Sequence, residues 1–202
     1  MRTCVLLLAA TVAAAAFAGM FHLAQAVTET LPPLSPQATA TIAPTCQAAH
    51  DADSRVSASF CIAHLRKQPR AFYANTTGLA EAAATVGVRN ANAARDETQR
   101  MLERCDEGDE QDDDPIYRVA LERCDRYYSM IGESYTAARK AIDEQRYGDV
   151  ERQLSSVPTI AHSCDYGFSL TRRAAASPFL RYNEDATQIA LLTIAITGLI
   201  KP

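Results

Sequence analysis

From Pro115 onward, apolar residues fall at Ile116, Ala120, Cys124, Tyr127, Ile131, Tyr135, Ala138 and Ile142. Every step is three or four, so these side chains form one unbroken stripe along a single long helix. A stripe of that length demands other helices to cover it, and no comparable strand pattern exists in the chain. Cys124 lies in the stripe, which turns its sulfur toward the interior. The tyrosines at this spacing read as core, with hydroxyls reaching the rim.

The remaining segments supply the partners. Residues 44–67 read as two short helices, with Pro44 in a first turn and Asp53-Ser54 able to cap the second. Pro69 ends that piece. A long helix is expected from about Thr77 to Cys105, its inner face marked by Leu79, Ala83, Val86, Asn90, Ala93 or Ala94, Met101 and Leu102. These residues are mostly small, which lets a neighbouring helix approach closely. Between Asp106 and Asp114, seven of nine residues are acidic, the mark of an exposed loop whose last carboxylates favour the next helix start. The order of ligands does not fit a calcium-binding helix–loop–helix. After the long stripe, Gln145 to Asp149 reads as a turn around Gly148. Another helix follows, with Val150, Leu154 and Val157 apolar, interrupted or bent by Pro158 and ending near Cys164. Residues 165–177 read as a loop and Pro178 as the start of a final helix, with Phe179, Tyr182, Ala186, Ile189, Leu192, Ile196 and Leu199 on one face. Its last stretch, 189–200, is almost wholly apolar but shorter than the roughly 20 residues a membrane span needs. It reads as the most buried helix rather than as the removable tail of a glycolipid anchor. The expected fold class is therefore all-α: an N-terminal helical hairpin and an up-down-up-down four-helix bundle.

Ahead of the helices, Arg2, the apolar run Val5 to Met20 and the small residues of Ala24-Gln25-Ala26 read as an export signal cleaved after Ala26. Residues 27–41, rich in Pro, Thr and Ser, read as a flexible leader, and the helical domain as 42–200. Export implies an oxidising route in which cysteines pair. Of six cysteines, Cys4 leaves with the signal. The other five (Cys46, Cys61, Cys105, Cys124, Cys164) admit 15 schemes of two bridges. Asn75-Thr76-Thr77 is an acceptor for N-linked glycan at an expected helix start, hence exposed.

The same residues narrow function. Without Arg2 the chain carries 19 Lys and Arg against 24 Asp and Glu, a net charge of −5, which argues against a nucleic-acid partner. No cysteine pair has the short separation of a zinc site, and His50, His64 and His162 are scattered. No Gly-rich phosphate loop, nucleophile elbow or pocket-forming acid pair stands out, so neither an enzyme nor a cofactor protein is expected. The cysteine pattern also differs from that of small secreted lipid carriers. What remains is a monomeric exported body, without a membrane segment in its mature form, that grips another protein.

Four segments, in order, resemble the plant invertase and pectin methylesterase inhibitors. "IAPTCQAAHDADSRVSASFCIAHLRKQP" carries a first cysteine pair followed by Leu65 and Pro69. "ALERCDRYYSMIGESYTAARKAI" is similar to the family's central segment through Leu121, Cys124, Tyr128 and Ala137 or Ala138. "LSSVPTIAHSCDYGF" matches at Ser155, Thr159, Cys164, Gly167 and Phe168, and "SPFLRYNEDATQIALLTIAIT" resembles the last helix. The resemblance covers about 42–200, and "SFC" and "RYGDV" lie nearest a pollen-expressed branch named for invertase inhibition.

The resemblance implies bridges Cys46–Cys61 and Cys124–Cys164, leaving Cys105 over; the carboxylates that follow it in sequence discourage its thiolate, so it reads as an inert free thiol. It implies secretion to the cell wall, in the apoplast, and inhibition by one-to-one occlusion of an enzyme's active-site cleft. Where invertase-directed members read Pro-Lys-Phe, this chain has Tyr147-Gly148-Asp149, so pectin methylesterase is favoured over cell-wall or vacuolar invertase. Esterase-directed members read Ser-Ala-Ala-Leu-Thr where this chain has Ser155-Ser156-Val157-Pro158-Thr159. A helical stress or allergen-type protein with no enzyme target is the alternative of another class. The expected contact surface is the outer side of the central helix and segment 147–163: Thr159 by resemblance, and Arg126, Ser129, Glu133 and Thr136, which lie off the apolar stripe.

Overall fold

The computed structural model describes residues 36–107, 114–171 and 177–200, with side chains from residue 41. The expected signal peptide with its cleavage after Ala26, and most of the acidic loop, lie outside the described residues. Among those residues every regular element is helical: α1 (Pro36–Ala52), α2 (Ala58–Leu65), α3 (Thr76–Asp106), α4 (Pro115–Asp143), α5 (Gly148–Leu154), α6 (Val157–Ser169) and α7 (Leu180–Gly198). A 3-10 turn over Pro69–Tyr73 joins α2 to α3.

The first two helices form a hairpin closed by the Cys46–Cys61 disulfide, with Cα atoms 5.7 Å apart. Pro44 lies inside α1 rather than in its first turn. A proline there removes one backbone hydrogen bond. Ile42, Cys46 and Ala49, all fully buried one turn apart, hold the flanking turns in place. The cap of α2 is Ser57, whose hydroxyl accepts from the Phe60 amide at 3.2 Å, not Asp53-Ser54. Asp53 instead closes the turn by pairing with Arg55 at 2.7 Å. Gln188 clamps this turn onto α7: its Oε1 accepts from the Ser57 amide and its Nε2 donates to the Arg55 carbonyl, both at 3.1 Å.

Helices α3, α4, the α5–α6 pair and α7 make the bundle, each packed on the next, with α7 closing back on α3. The α3–α4 seam interleaves small with large. Leu79, Ala80, Ala83, Ala84, Gly87, Ala91 and Ala94 are buried on α3, and Tyr128, Ile131 and Tyr135 are buried on α4. Gly87 lies directly against the Tyr135 ring, and Gly132 faces Ala91. Of the expected inner face of α3, Val86, Asn90, Met101 and Leu102 are half-buried and Ala93 is exposed. The true face runs through Gly87, Ala91, Ala94 and Thr98, a small-residue path that hydrophobic periodicity underweights.

The α4 stripe is corrected at its start. Ile116 is exposed and Tyr127 half-buried, while Tyr117, Leu121 and Tyr128 take the interior. The reason is geometric: at about 100° per residue Ile116 and Tyr127 lie roughly 80° and 60° from Cys124, at one edge of the stripe, and the buried face is centred toward the opposite edge. Asp114 caps α4 by accepting from the Ile116 amide at 3.0 Å, and Pro115 fills the first helical position, where its missing N–H costs nothing.

At the far end of α4 the turn is made by Gln145, not Gly148. Gln145 has φ 58°, and the Arg146 amide reaches the Ala141 carbonyl at 2.8 Å while the Gln145 amide reaches Ile142 at 3.0 Å. That is the paired C-terminal closure usually built around glycine. The following helix breaks at Ser155-Ser156, and Pro158 sits in the first turn of α6, where it fits without bending anything. α6 continues past Cys164 to Ser169, so the expected loop begins five residues late. Gly167, expected in that loop, lies in α6 beside Ala120 of α4. The Cys124–Cys164 disulfide ties these two helices, with Cα atoms 5.0 Å apart.

Among the described residues, no buried side-chain polar atom lacks a hydrogen-bond partner. Thr98, Thr193 and Thr197 donate to carbonyls four residues back at 2.8, 2.7 and 2.7 Å. Tyr135 Oη donates to the Ala186 carbonyl at 2.5 Å, and Asn90 Nδ2 to the Tyr182 carbonyl at 2.9 Å. Tyr128 Oη donates to Asn183 Oδ1 at 2.5 Å, and Asn183 Nδ2 to Asp165 at 2.6 Å, so one chain of hydrogen bonds crosses α4, α7 and α6. Burial pushes both tyrosine hydroxyls upward from their ordinary pKa, with the Asp165 charge adding to the effect at Tyr128.

Candidate target-binding face

Two flanks of the bundle present the residues singled out by sequence. The first is a groove of about 540 Å³ along the α3–α4 seam, lined by Ser129, Glu133 and Thr136 of α4 together with Val88, Asn92 and Arg95 of α3. Spacings of four and three place the α4 trio on one strip, and the small residues beneath set the groove's depth. Ser129 Oγ donates to Glu133 Oε1 at 3.3 Å and Thr136 Oγ1 to the Gly132 carbonyl at 2.8 Å. Arg95 pairs with Asp125 at 3.2 Å and holds one edge of the groove. Arg126 is exposed on the back of α4, outside the groove lining.

The second flank is α6. Thr159 is exposed in its first turns, and its carbonyl accepts from Ser163 Oγ at 2.9 Å. Thr159 is not part of the α3–α4 groove; α6 packs on α4 and α7 instead. On the α7 side, Pro158, His162 and Asp165 border a second groove of about 460 Å³ with Glu184 and Asp185. The sequence candidates therefore occupy two neighbouring flanks, tied to each other by the Cys124–Cys164 bridge.

Some exposed residues escaped the sequence reading. Met130 and Val119 on α4, Tyr166 on α6 and Leu170 just past its end are large, apolar and 42–60% exposed. Residues after Cys164 read as loop, whereas helix there turns Tyr166 outward and sets Leu170 at its C-cap. Segment 147–149 forms a charged corner: Asp149 pairs with both Arg146 and Arg152, and Arg146 also with Glu144 at 2.6 Å. The Arg146 guanidinium holds the Glu144 carboxyl below its ordinary pKa. Cys105 is half-buried and lies outside both disulfides.

A helical body cross-braced by two disulfides, offering shallow grooves and helix backs that need little reorganisation, is a scaffold for gripping another protein. The chain belongs to the plant invertase/pectin methylesterase inhibitor family, whose model matches residues 40–196. It is 33% identical over 156 residues to "Pectinesterase inhibitor 8" of Oryza sativa subsp. japonica, covering 77% of this chain and 81% of the relative. It is 27% identical over 161 residues to "Pectinesterase inhibitor 12" of the same rice, covering 80% and 74%. A Platanus orientalis protein named "Putative invertase inhibitor" is 22% identical over 156 residues, covering 77% and 87%. These relatives are named as inhibitors of enzymes, not as enzymes.

Proposed function

We propose that this chain is an exported inhibitor of pectin methylesterase that seats the α4 and α6 flanks on the enzyme and covers its active-site cleft one to one. The observation that carries the reading is the family membership, with 33% identity to a rice pectinesterase inhibitor over most of both chains. The geometry supports it. Exposed apolar Met130 shares α4 with polar Ser129 and Glu133, and exposed apolar Tyr166 shares α6 with Thr159, so each flank offers an apolar anchor beside polar groups. Invertase is the second reading, favoured by the plane-tree relative. The charged corner at Tyr147-Gly148-Asp149, where invertase-directed members carry Pro-Lys-Phe, weighs against it.

Export through the secretory route to the cell wall, after cleavage behind Ala26, and action as a monomer complete the proposal. No described helix is long and apolar enough to cross a membrane. Replacing Thr159 or Glu133 by Arg places a bulky charge in the proposed contact. Each is expected to weaken binding to pectin methylesterase about tenfold or more in calorimetry, with unchanged circular dichroism. Unchanged affinity in both variants removes this face from the account.

A further inference from the structure

Asn75 is exposed and is the N-cap of α3, its Oδ1 accepting from the Gly78 amide at 2.9 Å. Thr77, two positions on, completes an Asn-Thr-Thr acceptor. Glycosylation uses only the amide nitrogen: the Oδ1 that caps the helix remains a carbonyl oxygen, so modification and cap are compatible. Beside Asn75, Thr76 and Thr77 lies a shallow hollow closed by Leu199 and Ile200 at the end of α7. Ile200 also borders the adjoining hollow, formed with Tyr147, Gly148 and Glu151. Asn75, Ile200 and the Tyr147 corner are therefore neighbours across one end of the bundle.

We propose that Asn75 carries an N-linked glycan that covers this end of the bundle and leaves the α4 and α6 flanks as the surface open to a target. The proposal rests on the export reading, since the donor is a lipid-pyrophosphate-linked oligosaccharide of the secretory route. In the transfer, Asn75 Nδ2 forms a bond to C1 of the first sugar. The C1–O bond breaks with its electron pair on the departing lipid pyrophosphate, and one Nδ2 proton passes to a base of the transferase. A bulky, hydrated chain rooted at Asn75 shades Ile200 and Tyr147, the corner at which invertase-directed members are distinctive. Modification thus reinforces the choice of flank over end.

The test uses the full chain expressed in plant cells, recovered both from the medium and from the cell extract, and compared with Thr77→Ala, which removes the acceptor but keeps the Asn75 cap. Peptide mass after treatment with a peptide N-glycosidase that accepts plant glycans, which hydrolyses the glycosylated side-chain amide, is expected to show Asn75 converted to Asp in the parent chain and unconverted in the variant. Asn75 found unmodified in both fractions of the parent overturns the proposal. Hydroxyl-radical labelling of the two folded proteins then reads the shading. Tyr147 and Ile200 are expected to label severalfold more slowly in the glycosylated form, with Tyr166 on α6 unchanged. Equal labelling at Tyr147 and Ile200 overturns the covering role. Neither readout involves an enzyme, so the result stands apart from that of the inhibitor assignment.

Discussion

Gly87 and Tyr135 form the tightest seat between α3 and α4: a Cβ on Gly87 would overlap the tyrosine ring. Helix propensity alone favours alanine over glycine by about 1 kcal/mol. Overpacking costs about 1–3 kcal/mol, often more against a ring that is itself fully buried and hydrogen-bonded. Sterics wins, so Gly87→Ala is expected to lower stability by about 2 kcal/mol in urea denaturation. Gln145 makes the opposite case. Its left-handed backbone costs an L-residue about 1 kcal/mol, and glycine removes that strain, so Gln145→Gly is expected to raise stability by about that amount. His64 supplies a pH dependence. Burial against Phe60, with ring centroids 4.0 Å apart, lowers its pKa; Asp185 opposes this, and Lys67 and Arg181 add to it. The unfolded chain then takes up the proton first as pH falls. Stability is complete above the unfolded-state value of about 6.5 and is lost as pH falls through it toward the lower folded-state value. His64→Gln is expected to flatten that part of a denaturation-midpoint against pH curve.

At the level of elements, what the sequence made legible is what local chemistry decides. The Asp114-Pro115 start of α4 and the near-complete span of α3 follow from caps and periodicity, and both were read. Gln145 was not, because a left-handed residue is expected to be glycine and Gly148 stood three positions away. The continuation of α6 was missed for a related reason. Gly167 falls in the stretch that reads as loop, yet it lies within α6 beside Ala120, where a Cβ would make only ordinary contact. The candidate site was partly legible: polar positions off the α4 stripe mark the outside of a helix by subtraction. That Thr159 falls on a different flank from Ser129, Glu133 and Thr136 depends on which helices become neighbours, and periodicity says nothing of that. The two bridges act on different elements. Replacing Cys124 and Cys164 by Ala is expected to cost about 4 kcal/mol, spread across the bundle. Replacing Cys46 and Cys61 by Ala costs about 3 kcal/mol and is expected to speed amide exchange first in α1 and α2, where the Gln188 clamp is left to hold the hairpin alone.

As a whole, the chain is acidic, with a net charge of −4, and its described helices, braced by two disulfides, offer preformed flanks to a protein partner. Preformed surfaces lose little ordering entropy on association, and charges at the rim make that association depend on salt. The central claim is inhibition of pectin methylesterase, and it is tested most directly by titrating the disulfide-intact chain into pectin methylesterase and acid invertase side by side at the pH of the cell wall. The account predicts that esterase activity falls linearly to an endpoint near one inhibitor per enzyme while invertase keeps its rate. Full esterase activity at a large excess of the chain would contradict it.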